Sequence, residues 1–134
     1  MKLAIITIHK GEYADLVKTI KSVDIQTKKP KKHLIIAKNL DITQIKKFKK
    51  KYRNFILNQD RSIYNAMNLG LKKTISNHVL FLNSGDRLIS NKIISYILNS
   101  IKKEKKKCLI FKTALVYKEY YFKPKNNFFF LQII

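Results

Sequence analysis

The sequence predicts an α/β fold, a mainly parallel sheet flanked by helices. Short, nearly continuous apolar runs recur along the chain, as strands covered on both faces require. Between them lie longer segments whose apolar residues fall at helical spacing, the alternation of a parallel sheet. Finally, 134 residues at 46% hydrophobic can bury one core, and no repeat or Gly/Pro/Ser-rich linker divides them. Residues 1–134 therefore read as a single domain.

The first strand is LAIITI, residues 3–8. After Gly11, Tyr13, Leu16, Val17, Ile20 and Val23 form one helical stripe, and Pro30 ends that unit. HLIIA at 33–37 is the second strand; Ile42, Ile45 and Phe48 make a thin stripe on a very basic helix. Residues 55–57 are a short third strand. A helix over 62–75 comes next, with Ile63, Met67, Leu71 and Ile75 inward and Asp60 or Ser62 as its cap. Residues 79–82 form the fourth strand, 89–101 a further helix, and 108–116 a return to strand.

The balance of 29 Lys+Arg against 8 Asp+Glu gives a formal charge of +21. It suits nucleic acid, an anionic membrane surface or a phosphate-bearing ligand. The lysines are spread through the chain (TKKPKK, KKFKKKY, KKEKKK), so the charge reads as a general surface property with a membrane-surface benefit. Cys108 is the only cysteine, which excludes an internal disulfide and points to a reducing compartment. With His9, His33 and His78 it offers no zinc spacing. Residues 3–8 are too short for a signal-peptide core, and no run approaches the ~20 apolar residues of a span. The expectation is a cytoplasmic protein, peripheral at the inner membrane face.

In open α/β sheets ligands collect beyond the carboxyl ends of the strands. Residues 7–10, 58–61 and 83–86 should converge there. Asp86, directly after a buried strand, suits Mg²⁺ or Mn²⁺, hard cations that share oxygen ligands with phosphates. Alternatively it caps a helix starting near Leu88. Asp60 and Arg61 bring a second acid and a fork able to pair with a diphosphate, or form a surface turn. Asn65 and Asn68 share a helical face with Tyr64. With only Gly11, Gly70 and Gly85 there is no GxGxxG, no GxxxxGK[ST] and no GxSxG. A bound nucleotide would have to be held by side chains and a metal.

These residues carry a resemblance. LAIITIHKGEYADLVKTIKS is similar to the opening strand and helix of family 2 glycosyltransferases, nucleotide-sugar transferases of the GT-A fold. QDRSIYNAMNLGLKKT together with HVLFLNSGD resembles a branch reading D-[KR]-G-I-Y-D-A-M-N-x-G-I and then a strand ending N-S-G-D. The resemblance implies sugar transfer, typically inverting, from a nucleoside-diphosphate sugar to an acceptor hydroxyl on a glycan or lipid-linked acceptor, in surface polysaccharide or lipopolysaccharide synthesis. It implies Asp86 as the carboxylate for Mn²⁺ or Mg²⁺, and Asn83 or Ser84 lining the donor. Asp60, Arg61 and Asn68 would lie around that donor, with Thr7 and His9 near the nucleobase.

The sequence also departs from the family. Residues 37–41, AKNLD, replace an acidic, glycine-rich nucleoside-reading segment, leaving Asp41 as a weak substitute. Ser62 stands at a common glycine, and the metal motif keeps one acid. Past Asp86 the only acids are Glu104 and Glu119, neither in a family motif, so the general base is unassigned. The final NNFFFLQII is an apolar tail, an aggregation hazard where exposed. The expectation is the donor-binding part of a truncated transferase, with weak or absent transfer. The rival is a small basic nucleic-acid-binding protein, drawing on the charge and on Tyr52, Tyr120 and Tyr121 near lysines. No nucleic-acid motif supports it, and no nucleic acid is expected as a partner.

Overall fold

A computed structural model describes residues 1–59, 62–104, 108–111, 115–117, 120–122 and 129–133, the last four segments as backbone. The chain runs β1 (Leu3–His9), α1 (Tyr13–Asp24), β2 (Lys32–Ala37), α2 (Ile42–Lys47), β3 (Arg53–Leu57), α3 (Ile63–Lys72), β4 (His78–Phe81) and α4 (Ile93–Glu104). Four more strands are β5 (Cys108–Phe111), β6 (Leu115–Tyr117), β7 (Tyr120–Phe122) and β8 (Phe129–Ile133). The main sheet has the order β3-β2-β1-β4-β8-β5, and β6 pairs with β7 separately. β1 to β4 are mutually parallel; β8 lies antiparallel between β4 and β5. The α/β architecture with a mainly parallel sheet is the one expected.

Period-two alternation explains the layering, because successive strand residues point to opposite faces. Leu3, Ile5 and Leu80 pack with Val23 of α1 and with Ile94, Ile97, Leu98 and Ile101 of α4. On the same face, Ile35 and Ala37 meet Leu16 and Ile20 of α1 and, from α2 and its end, Ile45 and Phe48. The opposite face, Ala4, Ile6, Ile8, Leu34, Ile36 and Val79, is covered by α3 through Ala66 and Met67. Thus β1, β2 and β3 step outward under α1 and α2, and α3 carries the chain back across the other face to place β4 beside β1. The strand order reverses between β1 and β4.

Several expectations are corrected. The α3 helix ends at Lys72, so Ile75 lies outside it and is 93% exposed; Ile63 is also exposed. Its buried residues are Ala66 and Gly70. A Cβ at Gly70 would stand 2.7 Å from Ile6 Cγ2 and 3.1 Å from Ile36 Cδ1, so close approach to the sheet sets the inward side, with Met67 and Leu71 packed against the same core as expected. The fourth helix begins at Ile93, not 89, which removes the capping role for Asp86. The described residues of the 108–116 segment fall in two strands, β5 and β6. Residues 129–133 of the apolar tail are paired within the sheet: β8 pairs Leu131 with Leu80 on one side and Leu109 on the other.

One buried polar chain crosses under α1. Arg53 Nε donates to His33 Nδ1 at 3.1 Å, which leaves the ring proton on Nε2, 3.0 Å from Thr7 Oγ1. Burial, helped by the Arg53 charge, lowers His33 to about 3. Arg53 also pairs with Asp24, which accepts from Tyr52 and from Lys50 nearby. Burial alone would raise Asp24, but Arg53, Tyr52 and Lys50 together hold it below the usual carboxylate range.

Candidate functional site

The segment after β4 is built as an extension of the sheet. Leu82 N–H donates to Ile6 C=O at 3.0 Å and Ser84 N–H to Ile8 C=O at 3.1 Å, so Asn83 and Ser84 continue the ladder along β1. The chain then turns at Gly85, whose φ of 98° is left-handed backbone suited to glycine. His9, at the end of β1, is almost fully buried, and its Nδ1 lies 2.9 Å from Ser84 Oγ. Burial lowers the His9 pKa, with Asp15 and Glu12 pulling the other way.

Three polar side chains of α1 and its C-terminal end hold the backbone of residues 85–94. Thr19 Oγ1 accepts from Gly85 N–H at 3.0 Å and donates to Asp86 C=O at 2.8 Å. Ser22 Oγ accepts from Leu88 N–H at 3.1 Å, and Gln26 Oε1 accepts from Ile94 N–H at 3.1 Å. Thr27 N–H then donates to Asn91 C=O at 2.8 Å. Residues 83–94 therefore lie along one side of α1, and Thr19, Ser22 and Gln26 are all buried. Their spacing at 19, 22 and 26 is a signal present in the sequence. It is easily missed, because polar residues on an amphipathic helix ordinarily face water.

Thr19→Val keeps the shape and removes the hydroxyl. It should destabilise the fold by about 1–3 kcal/mol, because the Gly85 N–H loses its acceptor. Urea denaturation measures this, with Thr19→Ser expected to restore most of the loss.

A cleft of about 200 Å³ opens where the strand order reverses. Its walls are Ile8, Lys10 and Gly11 at and after the end of β1, Asp15 of α1, Ile63 at the start of α3, and Asn83 and Ser84 after β4. Asn83 Oδ1 is buried and has no hydrogen-bond partner among the described residues. Asp86 adjoins this wall but does not line the cleft. Burial raises its pKa, partly offset by the Asn83 backbone N–H. Among the described residues the only carboxylate on the cleft wall is Asp15, which pairs with Lys18 at 3.0 Å.

The structure thus brings Asn83, Ser84, His9 and Asp86 together at one sheet edge. Thr7 lies deeper, fully buried with its hydroxyl against His33, away from the cleft walls. Asn68 lies along α3, one turn and more beyond Ile63, and does not line the cleft. Asp60 and Arg61 lie outside the described residues. Asp41 caps α2 in a reciprocal box with Gln44, so its carboxylate is occupied locally. Lys10 falls in the 7–10 segment expected at this edge, whereas Gly11 and Asp15 are cleft residues that the sequence pattern does not single out.

The donor set admits a hard cation only in part. No group of three or more His, Cys, Asp or Glu that could hold a metal exists among the described residues. A half-buried carboxylate and an orphaned amide oxygen are nevertheless oxygen ligands of the right class. A site of one or two such ligands is normally completed by phosphates and water.

No protein-family model matches the chain, and no curated protein matches it in sequence. Solved structures share its fold. TarS from S. aureus, in complex with UDP-GlcNAc, superposes with a TM-score of 0.69 at 20% identity, covering 84% of this chain and 34% of that one. The mannosyltransferase PcManGT from Pyrobaculum calidifontis, in complex with GDP-Man and Mn²⁺, gives 0.64 at 8% identity over 75% of this chain and 32% of that one. A CMP:2-keto-3-deoxy-manno-octonic acid synthetase complexed with CTP gives 0.60 at 9% identity over 99% of this chain and 72% of that one. The chain therefore has a GT-A-like fold, shared with these structures. It spans about a third of the length of the TarS and PcManGT structures.

Proposed function

We propose that this chain is the donor-binding portion of a family 2 type glycosyltransferase, with a nucleoside-diphosphate sugar held in the cleft between β1 and β4. The observation that carries the reading is Asn83 Oδ1, a buried acceptor left without a partner among the described residues, on the wall of a cleft at the reversal of strand order. Leaving such an atom unsatisfied costs about 1–3 kcal/mol, which a ligand donor or a cation would offset.

In this reading Asp86 and Asn83 hold a Mn²⁺ or Mg²⁺ ion, which when bound neutralises charge on the leaving diphosphate. Ser84, positioned by His9, lines the donor, and Lys10 offers a cation on the cleft wall. The raised Asp86 pKa gives a sign: protonation competes with the cation, so metal-dependent affinity falls as pH drops toward that pKa. Neighbours solved with UDP-GlcNAc or GDP-Man support the donor class. The acceptor is proposed to be a glycan or a lipid-linked sugar of surface polysaccharide or lipopolysaccharide synthesis, with inverting transfer.

Calorimetry with UDP, GDP and CDP, each with and without Mn²⁺, tests this. One of the three is expected to bind in a Mn²⁺-dependent manner, and Asp86→Asn to weaken it by at least about tenfold, or ~1.4 kcal/mol. Equal binding by both proteins, or no binding by either, would remove the proposal.

A further inference from the structure

The four parallel strands begin at Leu3, Lys32, Arg53 and His78, so the segments before them crowd one edge of the sheet, opposite the cleft. Hydrogen bonds hold those segments side by side: Lys31 N–H to Leu3 C=O at 2.8 Å, His78 N–H to Lys2 C=O at 3.3 Å, and Lys32 Nζ to Lys73 C=O at 2.9 Å. Four lysines lie at 28–32, three at 49–51 and two at 72–73. Of the carboxylates on this side, Asp24 is already paired with Arg53 and Lys50, and Glu104 ends α4 beside Lys102 and Lys103. In the described loops that follow the strands the charges nearly cancel, Lys10, Lys38, Arg87 and Lys92 against Glu12, Asp41 and Asp86. The excess charge is therefore directional, which its scatter along the sequence conceals.

The same edge carries aliphatic side chains in water. Ile75, in the link between α3 and β4, is 93% exposed; Ile25 and Met1 are 60% and 54% exposed. Aliphatic groups ringed by lysines suit a phospholipid surface, with the ammonium groups at the phosphates and the apolar side chains in the acyl boundary. A nucleic-acid surface would instead use arginine forks and exposed aromatic faces for stacking. Here Arg53 is buried in its ion pair and Tyr52 is bonded to Asp24. No helix among the described residues is long and apolar enough to cross a membrane.

We infer that the strand-start edge, centred on Lys31, Lys73 and Ile75, docks this chain on an anionic phospholipid bilayer, with the cleft facing away into water. The inference uses none of the cleft residues and stands whether or not a nucleotide sugar binds there. Strands of this length would hold the cleft about 20 Å from the headgroups. That distance suits an acceptor that extends from the membrane into water.

Co-sedimentation of the full chain with vesicles, at roughly 0.1 M salt, tests this. Binding is expected to equimolar phosphatidylcholine and phosphatidylglycerol and not to phosphatidylcholine alone. Lys31→Glu with Lys73→Glu should weaken it at least about 30-fold. Lys38→Glu with Arg87→Glu, an equal charge change at the other edge, should weaken it less than about threefold. Since the chain has no tryptophan, Ile75→Trp gives a single reporter whose emission should move to the blue on vesicles, while Tyr64→Trp beside the cleft should not. Equal losses from the two charge pairs, a blue shift at Tyr64→Trp alone, or capture by duplex RNA without vesicle binding would each overturn the inference.

Discussion

Arg53→Ala is expected to destabilise the protein by about 3–5 kcal/mol, because it strips a buried network of its central cation. The Arg53 side chain is fully buried against Asp24, and its Nε fills the lone pair of His33 Nδ1. Without it, Asp24 keeps its charge among half-buried neighbours, and the imidazole nitrogen has no donor. Phe48 C=O, which accepts from Arg53 at 3.0 Å, also loses its partner at the end of α2. Urea denaturation gives the size of the loss. Adding Asp24→Asn should return part of it by removing the uncompensated charge. A loss below about 1 kcal/mol would show that water or side-chain relaxation replaces the network.

Acid should unfold the protein through His33. Its folded pKa is about 3 against 6.5 unfolded, so below pH 6.5 the unfolded chain takes up a proton that the native one refuses. Stability is thus held above pH 6.5 and lost as pH falls toward 3. The slope approaches about 1.4 kcal/mol per pH unit, giving a loss of roughly 2 kcal/mol by pH 5. His9 and His78 are lowered by burial and act in the same direction. The diagnostic is therefore the difference between wild type and His33→Asn, whose Oδ1 can accept from Arg53 without titrating. Denaturant midpoints from pH 7 to 5 should fall more steeply in wild type. Parallel curves would assign the acid sensitivity elsewhere.

How legible the site is differs by residue. Asn83, Ser84 and Asp86 come directly after an apolar run, and a run buried on both faces must end at a sheet edge, so their convergence with His9 can be read from pattern. Asp15 cannot, and Thr19 is easily passed over, because they sit on a helix whose apolar stripe explains its packing without them. Their roles come from the backbone of residues 83–94 being laid against α1. Asp41 illustrates the reverse: a loop acid near the expected site is occupied by capping its own helix.

Read along the chain, the residue pattern specifies the alternation of strand and helix, the parallel core and the edge where a ligand would meet it. These arise from local periodicity, and each strand carries its own pattern. The folded chain alone reveals that Gly70 and Ala66 set the approach of α3, that Ile75 stands in water, and that β8 enters between β4 and β5. The direction of the lysine excess belongs with these. Each depends on contacts between segments far apart in the chain, and pairing energies between distant segments leave no period in the sequence to read.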